Sequence, residues 1–133
     1  MIGLIMRKEY IIDILEGRTT FDTRLYSSDV RGKIGLIESN TDLLYGFVEM
    51  VDVHSISYED YVRWHISDNY DLDIAREKLK NEGMLNHVAY AYDFIKPERL
   101  DAPIIIYPTK RNRVWAEFDL EKSNRGFIQE SLF

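Results

Sequence analysis

The sequence predicts a small α+β domain whose mostly antiparallel sheet curls into a partial β-barrel with two or three helices at its side. Three observations carry that prediction. The chain has 133 residues, 45% of them apolar, which suits one domain able to bury roughly two-thirds of its unfolded surface. Its apolar pattern alternates between periods near two and near 3.6 in the order strand, helix, strands, helices, strands. No internal repeat or low-complexity tract interrupts that order, so neither a solenoid nor a disordered array is expected. The expected division is one domain over 1–118 and an extension over 119–133.

Taken in order, Gly3 to Met6 reads as a short strand, and Lys8 to Glu16 as a helix with Ile11, Ile14 and Leu15 at helical spacing. Gly17 stands where a left-handed residue would stop that helix. Thr20 to Arg24, rich in Thr and Phe, is extended. Lys33 to Glu38 is an apolar strand, Asn40 to Asp42 a turn and Leu44 to Val53 a longer strand, so 33–53 is a hairpin. Ser57 with Asp60 three residues on resembles a capping box opening a helix to about Trp64 or His65. Asp71 fits the N-cap of a second helix over Leu72 to Asn81, with Leu72, Ala75 and Leu79 on one face and Gly83 as its stop. Three strands follow, His87 to Ile95, Ile104 to Tyr107 and Val114 to Phe118. Pro97 and Pro103 bound a loop between the first two, and Lys110 to Arg113 form the tip of the last hairpin. In the tail, Phe127, Ile128, Leu132 and Phe133 fit a short docking helix.

Composition excludes several classes. With no cysteine, disulfides, thiolate metal sites and a cysteine nucleophile are ruled out together. The longest apolar runs, such as Ile104 to Tyr107, are far too short for a bilayer, and Arg7, Lys8 and Glu9 interrupt any leader-like start, so a cytoplasmic protein with no membrane partner is expected. The net charge of −6 argues against indiscriminate nucleic-acid binding. Residues 38–82 hold eleven acidic against four basic side chains, whereas 1–37 and 83–118 each carry one net positive charge. If those flanks meet, they present a locally positive face on an acidic protein.

The densest functional signal is Gly17-Arg18-Thr19-Thr20-Phe21-Asp22-Thr23-Arg24, which sets charged and hydroxylated side chains at a helix-to-strand junction. Together with the opening G-L-I-M-R, the helix ending L-E-G, the run R-G-K-I-G-L-I-E-S and the strand from Gly46 to Val53, it resembles the ASCH domain family, one of the PUA-like β-barrels, over roughly residues 2–118. The resemblance implies a barrel with a cleft beside the first helix where the motif's polar residues face a ligand. It also implies association with RNA or modified nucleosides and, in one branch, amide hydrolysis of N4-acetylcytidine. The family motif has a lysine two residues after its glycine and a glutamate three beyond. Thr19 and Asp22 stand there in this chain, which retains Gly17 and Arg24. Asp68 or Asn69 falls in the region of the amidohydrolase branch's downstream glutamate.

The residues themselves leave alternatives open. A threonine hydroxyl needs a neighbouring base to attack, and Asp22 is the candidate base toward Thr19 or Thr20, while Arg24 can grip a carboxylate or phosphate bidentately. Equally, Asp22 and Arg24 can pair with each other on one strand face. Arg18 cannot replace a basic lysine, because a guanidinium stays protonated. His54, His65 and His87 show no mutual spacing typical of a metal cluster, so no metal or other cofactor is expected. Val88, Tyr90, Tyr92 and Phe94 alternate on one strand face, as core or as a stacking platform, with core the expectation, and Trp64 and Trp115 read as packing. Lys110, Arg111 and Arg113 can track phosphates from a hairpin tip.

Three functions follow as expectations. The first is a module binding RNA or a nucleotide through Gly17, Arg18, Thr19, Asp22 and Arg24, helped by Lys110, Arg111 and Arg113. The second is a hydrolase of an acylated nucleoside using Thr19, Thr20 and Asp22. The third is an interaction protein meeting a protein partner through the 119–133 tail.

Overall fold

A parallel strand pair near the N-terminus organises the fold, and it explains two apolar runs in the sequence that lack the period of a half-exposed strand. Strand β1 (Ile2–Met6) lies between β3 (Gly32–Glu38) and β7 (Trp115–Phe118), parallel to the first and antiparallel to the second. Leu4, Ile5 and Met6 are all buried, as are Ile34, Leu36 and Ile37 of β3. Strands covered on both faces read as continuous hydrophobic runs. A parallel pair needs a crossover, and helix α1 (Lys8–Leu15) lies within it. The structure, a computed structural model, describes residues 1–64, 72–83 and 87–122, without the side chains of residues 72, 73, 75, 76 and 79.

Helix α1 buries Ile11, Ile14 and Leu15 along one stripe. It stops as the sequence predicts. Gly17 takes φ +78, its N–H reaches the Ile14 carbonyl at 3.1 Å, and the Arg18 N–H reaches the Asp13 carbonyl at 2.9 Å. These two bonds are the pair that defines a Schellman stop, and they satisfy carbonyls the helix end would leave orphaned. A short strand, β2 (Phe21–Arg24), follows.

Strands β3 and β4 (Leu43–Ser57) form the expected hairpin, from Gly32 opposite Met50 to Ile37 opposite Leu44, with a register shift between Leu36 and Ile37. Asn40 supplies a left-handed residue at φ 62 in the turn. The Thr41 hydroxyl donates to the Glu38 carbonyl at 2.9 Å and accepts from the Leu43 N–H at 3.1 Å. Strand β4 continues beyond the expected Val53 to Ser57, where α2 (Tyr58–Trp64) begins. The Ser57 hydroxyl accepts from the Asp60 N–H at 3.1 Å, the capping contact the spacing predicts. Helix α3 (Leu72–Asn81) follows, and Gly83 is left-handed at φ +71. The proposed Asp71 cap lies outside the described residues, as do Asp68 and Asn69, and so do the side chains of Leu72, Ala75 and Leu79.

The C-terminal third corrects the sequence reading. The chain from Val88 to Ile105 is one long strand, β5, and Pro97 and Pro103 lie within it instead of bounding a loop. Proline lacks a ladder donor, which normally confines it to edges or bulges. Here β2 pairs only with Tyr90 to Asp93, and Lys96 kinks the strand at φ 53 just before Pro97. The last hairpin partner is accordingly not 104–107 but β6 (Pro108–Arg111), which pairs antiparallel with β7. Lys110 and Arg111 therefore sit in a strand, and the tip is Asn112 to Val114. There the Asn112 side-chain oxygen accepts from the Val114 and Trp115 N–H groups, each at 2.8 Å. Of the 119–133 tail, 120–122 form a helical turn, and the docking helix expected through Phe127 to Phe133 lies outside the described residues.

The strands make one seven-stranded sheet in the order β2-β5-β4-β3-β1-β7-β6. The expected α+β, mostly antiparallel character is present, but the sheet is open, with β2 and β6 as its two edges, and does not close into a barrel. Two compact units share it, one of residues 1–20, 31–51 and 94–133 and the other of 21–30 and 52–93. The first holds the main core, in which Ile5, Ile37, Leu44, Phe47, Ile104, Ile106, Ala116 and Phe118 pack together. In the second, Ala89, Ala91, Tyr92 and Thr23 are buried and Trp64 meets Phe21 edge-on at 5.1 Å. Among the described residues no helix is long and apolar enough to cross a membrane.

Two predictions follow. A Cβ at Gly17 meets nothing within 4 Å, so Gly17→Ala carries only the left-handed backbone cost of about 1–2 kcal/mol, with Gly17→Asn milder. At Gly46 a Cβ would collide with the Glu98 carbonyl oxygen and lie 3.0 Å from two Leu15 carbons, so Gly46→Ala should destabilise more than Gly17→Ala in urea unfolding. The reverse order would contradict this packing. The second concerns Tyr45, buried at 7% exposure, whose hydroxyl donates to the Glu38 carboxylate. That bond, with burial and the carboxylate's charge, pushes the phenol up to about 12 from 10.0. Because the folded value is the higher, the stabilisation is whole below pH 10 and falls by about 1.4 kcal/mol per pH unit as the pH rises toward about 12. Across that range, the stability read by urea unfolding should fall less steeply in Tyr45→Phe than in the wild type. Parallel pH slopes for the two proteins would refute it.

Candidate functional site

The Gly17 to Arg24 motif resolves into three parts with different jobs. Gly17 and Arg18 are the helix stop. Arg18 then forks outward, its Nε to Asp13 Oδ1 at 2.9 Å and one terminal nitrogen to Glu16. Glu16 also receives Arg99 at 2.6 Å. The Arg18 hydrogen bond and charge, followed by those of Arg99, hold the Glu16 carboxyl below its usual range, and Asp13 and Glu16 raise the Arg18 guanidinium. Arg18 is thus a surface clamp at the end of α1, where a cation also complements the helix dipole.

Thr19 and Thr20 form the second part. The stop turns the chain so that the Thr20 carbonyl accepts from the Phe94 N–H at 2.8 Å, tying this stretch to the β5 segment that contains the Lys96 kink. Between them lies a cavity of about 270 Å³ lined by Ile14, Gly17, Thr19, Thr20, Val48, Phe94, Ile95, Lys96 and Pro97. That is room for about nine water molecules at liquid density, near the lower bound of small-molecule pockets. Ile14, Val48 and Phe94 are buried, Thr19 is half-buried, and Thr20 and Lys96 are exposed. The cavity is therefore apolar in depth, with Thr19, Thr20 and Lys96 as the more exposed residues of its lining. Lys96 Nζ lies 3.3 Å from Glu49 Oε2, a pair with its lysine 76% exposed.

The left-handed Lys96 is a backbone outlier at the wall of this cavity. A non-glycine residue in that region costs of order 1–3 kcal/mol and persists only where its surroundings over-determine it. Here the Thr20–Phe94 bond anchors the strand two residues before it.

Asp22 and Arg24 are the third part. They lie on β2 opposite Tyr92 and Tyr90, and Arg24 Nε donates to Asp22 Oδ2 at 2.6 Å with both side chains mostly buried. The pair that sequence spacing allowed is present. Tyr61 and Tyr92 lie within its field. Burial raises both phenols, Arg24 opposes that rise, and Asp22 adds to it. The Tyr92 hydroxyl donates to the Tyr26 carbonyl at 2.6 Å. Neither Asp22 nor Arg24 lines the cavity.

The basic residues of the last hairpin do not line it either. Arg111 donates to Asp42 and, at 3.4 Å, to the Thr41 carbonyl, Lys110 is exposed on β6, and Arg113 is exposed in the turn. The stacking stripe divides as well. Tyr92 and Phe94 are core at 1% and 3% exposure, as expected, while Val88 is half exposed. Trp64, expected to be packing, is 59% exposed.

Sequence reasoning missed Val48, Ile95, Lys96 and Pro97 as cavity residues. The available signal was Pro97 itself, a proline inside what proves to be a strand. A larger, more open depression of about 680 Å³ is lined by Met1, Ile2, Thr109, Glu117, Phe118, Asp119, Leu120 and Glu121. Its three carboxylates repel an anionic ligand, and no motif residue reaches it. In the smaller cavity the lining holds no carboxylate or imidazole, and Lys96 is its one titratable side chain. The cavity thus combines an apolar interior with the polar residues Thr19 and Thr20.

No protein-family model and no curated protein matches the sequence. Solved structures do match the fold. The crystal structure of ASCH from Zymomonas mobilis superposes with a TM-score of 0.54 at 10% identity, covering 96% of this chain and 93% of that one. A serine-to-alanine mutant of the same protein gives 0.55 at 10% identity, covering 96% and 94%, and a tyrosine-to-phenylalanine mutant gives 0.53 at 10%, covering 96% of each. The chain therefore shares the fold of these ASCH structures across nearly its whole length.

Proposed function

We propose that this chain is an ASCH-domain protein that binds single-stranded RNA or a nucleotide and seats one base in the cavity beside α1. One observation carries the proposal. Three residues of the Gly17 to Arg24 motif, Gly17, Thr19 and Thr20, line a cavity with apolar depth and polar edges. Ile14, Val48, Phe94 and Pro97 give the faces of a base an apolar surround, and the Thr19 and Thr20 hydroxyls can each donate and accept at its edge. Lys96 is placed to attract a phosphate. Its exposed pair with Glu49 is worth about 0–1 kcal/mol, so exchanging that carboxylate for a phosphate oxygen costs little.

Arg24, by contrast, would have to leave a mostly buried ion pair, and breaking such a pair leaves an uncompensated carboxylate. We therefore assign phosphate attraction to Lys96 before Arg24, with Lys110, Arg111 and Arg113 as a secondary basic patch. Hydrolysis of an acylated nucleoside would require a base beside Thr19 or Thr20, and binding without turnover is the reading we adopt. The extension at 119–133 is proposed as separate from this function.

Fluorescence anisotropy of a labelled short single-stranded RNA tests the proposal. Thr19→Phe, which fills the cavity, should weaken binding at least tenfold, about 1.4 kcal/mol. Lys96→Gln should weaken it less and flatten the salt dependence by about 0.7 in the slope of log K against log salt, the amount expected for one phosphate contact on a single strand. Binding that Thr19→Phe leaves intact would overturn the assignment of the cavity.

A further inference from the structure

We propose that Asp52, His54 and Asp93 form a binding site for a divalent first-row transition-metal cation, independent of the cavity beside α1. Asp52 and His54 are two residues apart on β4, which places them on one face of the strand, and Asp93 comes from β5 at the position paired with Phe21. One ligand atom from each lies within 4.8 Å of the others. His54 Nδ1 stands 3.5 Å from Asp52 Oδ2 and 3.2 Å from Asp93 Oδ2.

Those spacings fit ligands of one ion. Two donors bound at about 2.1 Å to one tetrahedral ion stand about 3.4 Å apart, which falls between the two. The electrostatics point the same way. Among the described residues, the ion pairs of Asp52 and Asp93 are with His54 alone, so two carboxylates converge on one imidazole with no lysine or arginine to balance them. A divalent cation neutralises both.

The donor set narrows the metal. One imidazole nitrogen and two carboxylate oxygens suit zinc, manganese or ferrous ions, whereas cuprous ions prefer sulfur ligands. Three protein ligands leave at least one coordination position, and the side chains are about a third to three-fifths exposed, so water or an anionic oxygen can occupy it. Both strands belong to the sheet, which gives the ligands a rigid base. The histidine-to-histidine spacings of the sequence are silent on this site, because its pattern is one histidine, an aspartate two residues before it and a third ligand from another strand.

Isothermal titration of zinc chloride into the metal-free full chain tests the proposal. One zinc per chain is expected, with affinity reduced at least about tenfold, the cost of losing even an outer-shell partner, in His54→Ala and separately in Asp93→Asn. His87→Ala should bind as the wild type does. Far-UV circular dichroism of the metal-free variants should match the wild type, since all three positions are on the surface; should one variant misfold, Asp52→Asn supplies the same comparison. No saturable binding by the wild type, or equal binding by the ligand variants, would overturn the site.

Discussion

The helix stop at Gly17 is the constraint on which the candidate site depends. Its left-handed backbone ends α1 with two hydrogen bonds and turns the chain outward, so that Thr19 and Thr20 reach the wall of the cavity and Thr20 reaches Phe94. The same end of α1 is held from the other side. Gly46 lacks the Cβ that would strike Leu15 and the Glu98 carbonyl, which lets the helix end, β4 and β5 approach closely. Glu16 then joins Arg18 and Arg99 across that junction. Two glycines, one with a left-handed backbone and one whose missing side chain allows close approach, shape the end of α1 beside the cavity.

Much of this was legible in the sequence because the signals were local. A glycine after a helical stripe, a serine three residues before an aspartate, and Asn40 in a turn each act through bonds a few residues long, and each occurs as read. The apolar runs in β1 and β3 were legible as strands, but not as a parallel pair buried on both faces, since pairing is a long-range choice that periodicity does not encode. The error at Pro97 has a physical cause. Proline signals a break only where its missing donor would be needed, and β5 has no β2 partner beyond Asp93 in the pairing register. A strand was therefore read as a loop and two strands, and with it the cavity's far wall was lost.

The motif shows the same division between what spacing can and cannot say. Eight consecutive residues looked like one site. In the structure they comprise a cap, a cavity wall and an ion pair, and Asp22 and Arg24 are occupied with each other. Charged side chains near a ligand site are not ligand contacts by default, because a mostly buried carboxylate requires a partner before it can serve a function. Threonines 19 and 20, which carry no charge, are with Gly17 the motif residues that line the cavity. Strain concentrates there too, in the left-handed Lys96 at the cavity wall, consistent with the tendency of such outliers to gather at functional sites.

The most direct test of the central claim is an amide NMR titration of the full chain with cytidine 5′-monophosphate. The account predicts that shifted amides cluster at residues 14–20, 48 and 94–96, with Thr19, Thr20 and Lys96 moving most. Shifts confined to Asp22, Arg24 and the 110–113 hairpin, or no saturable shifts at all, would contradict it.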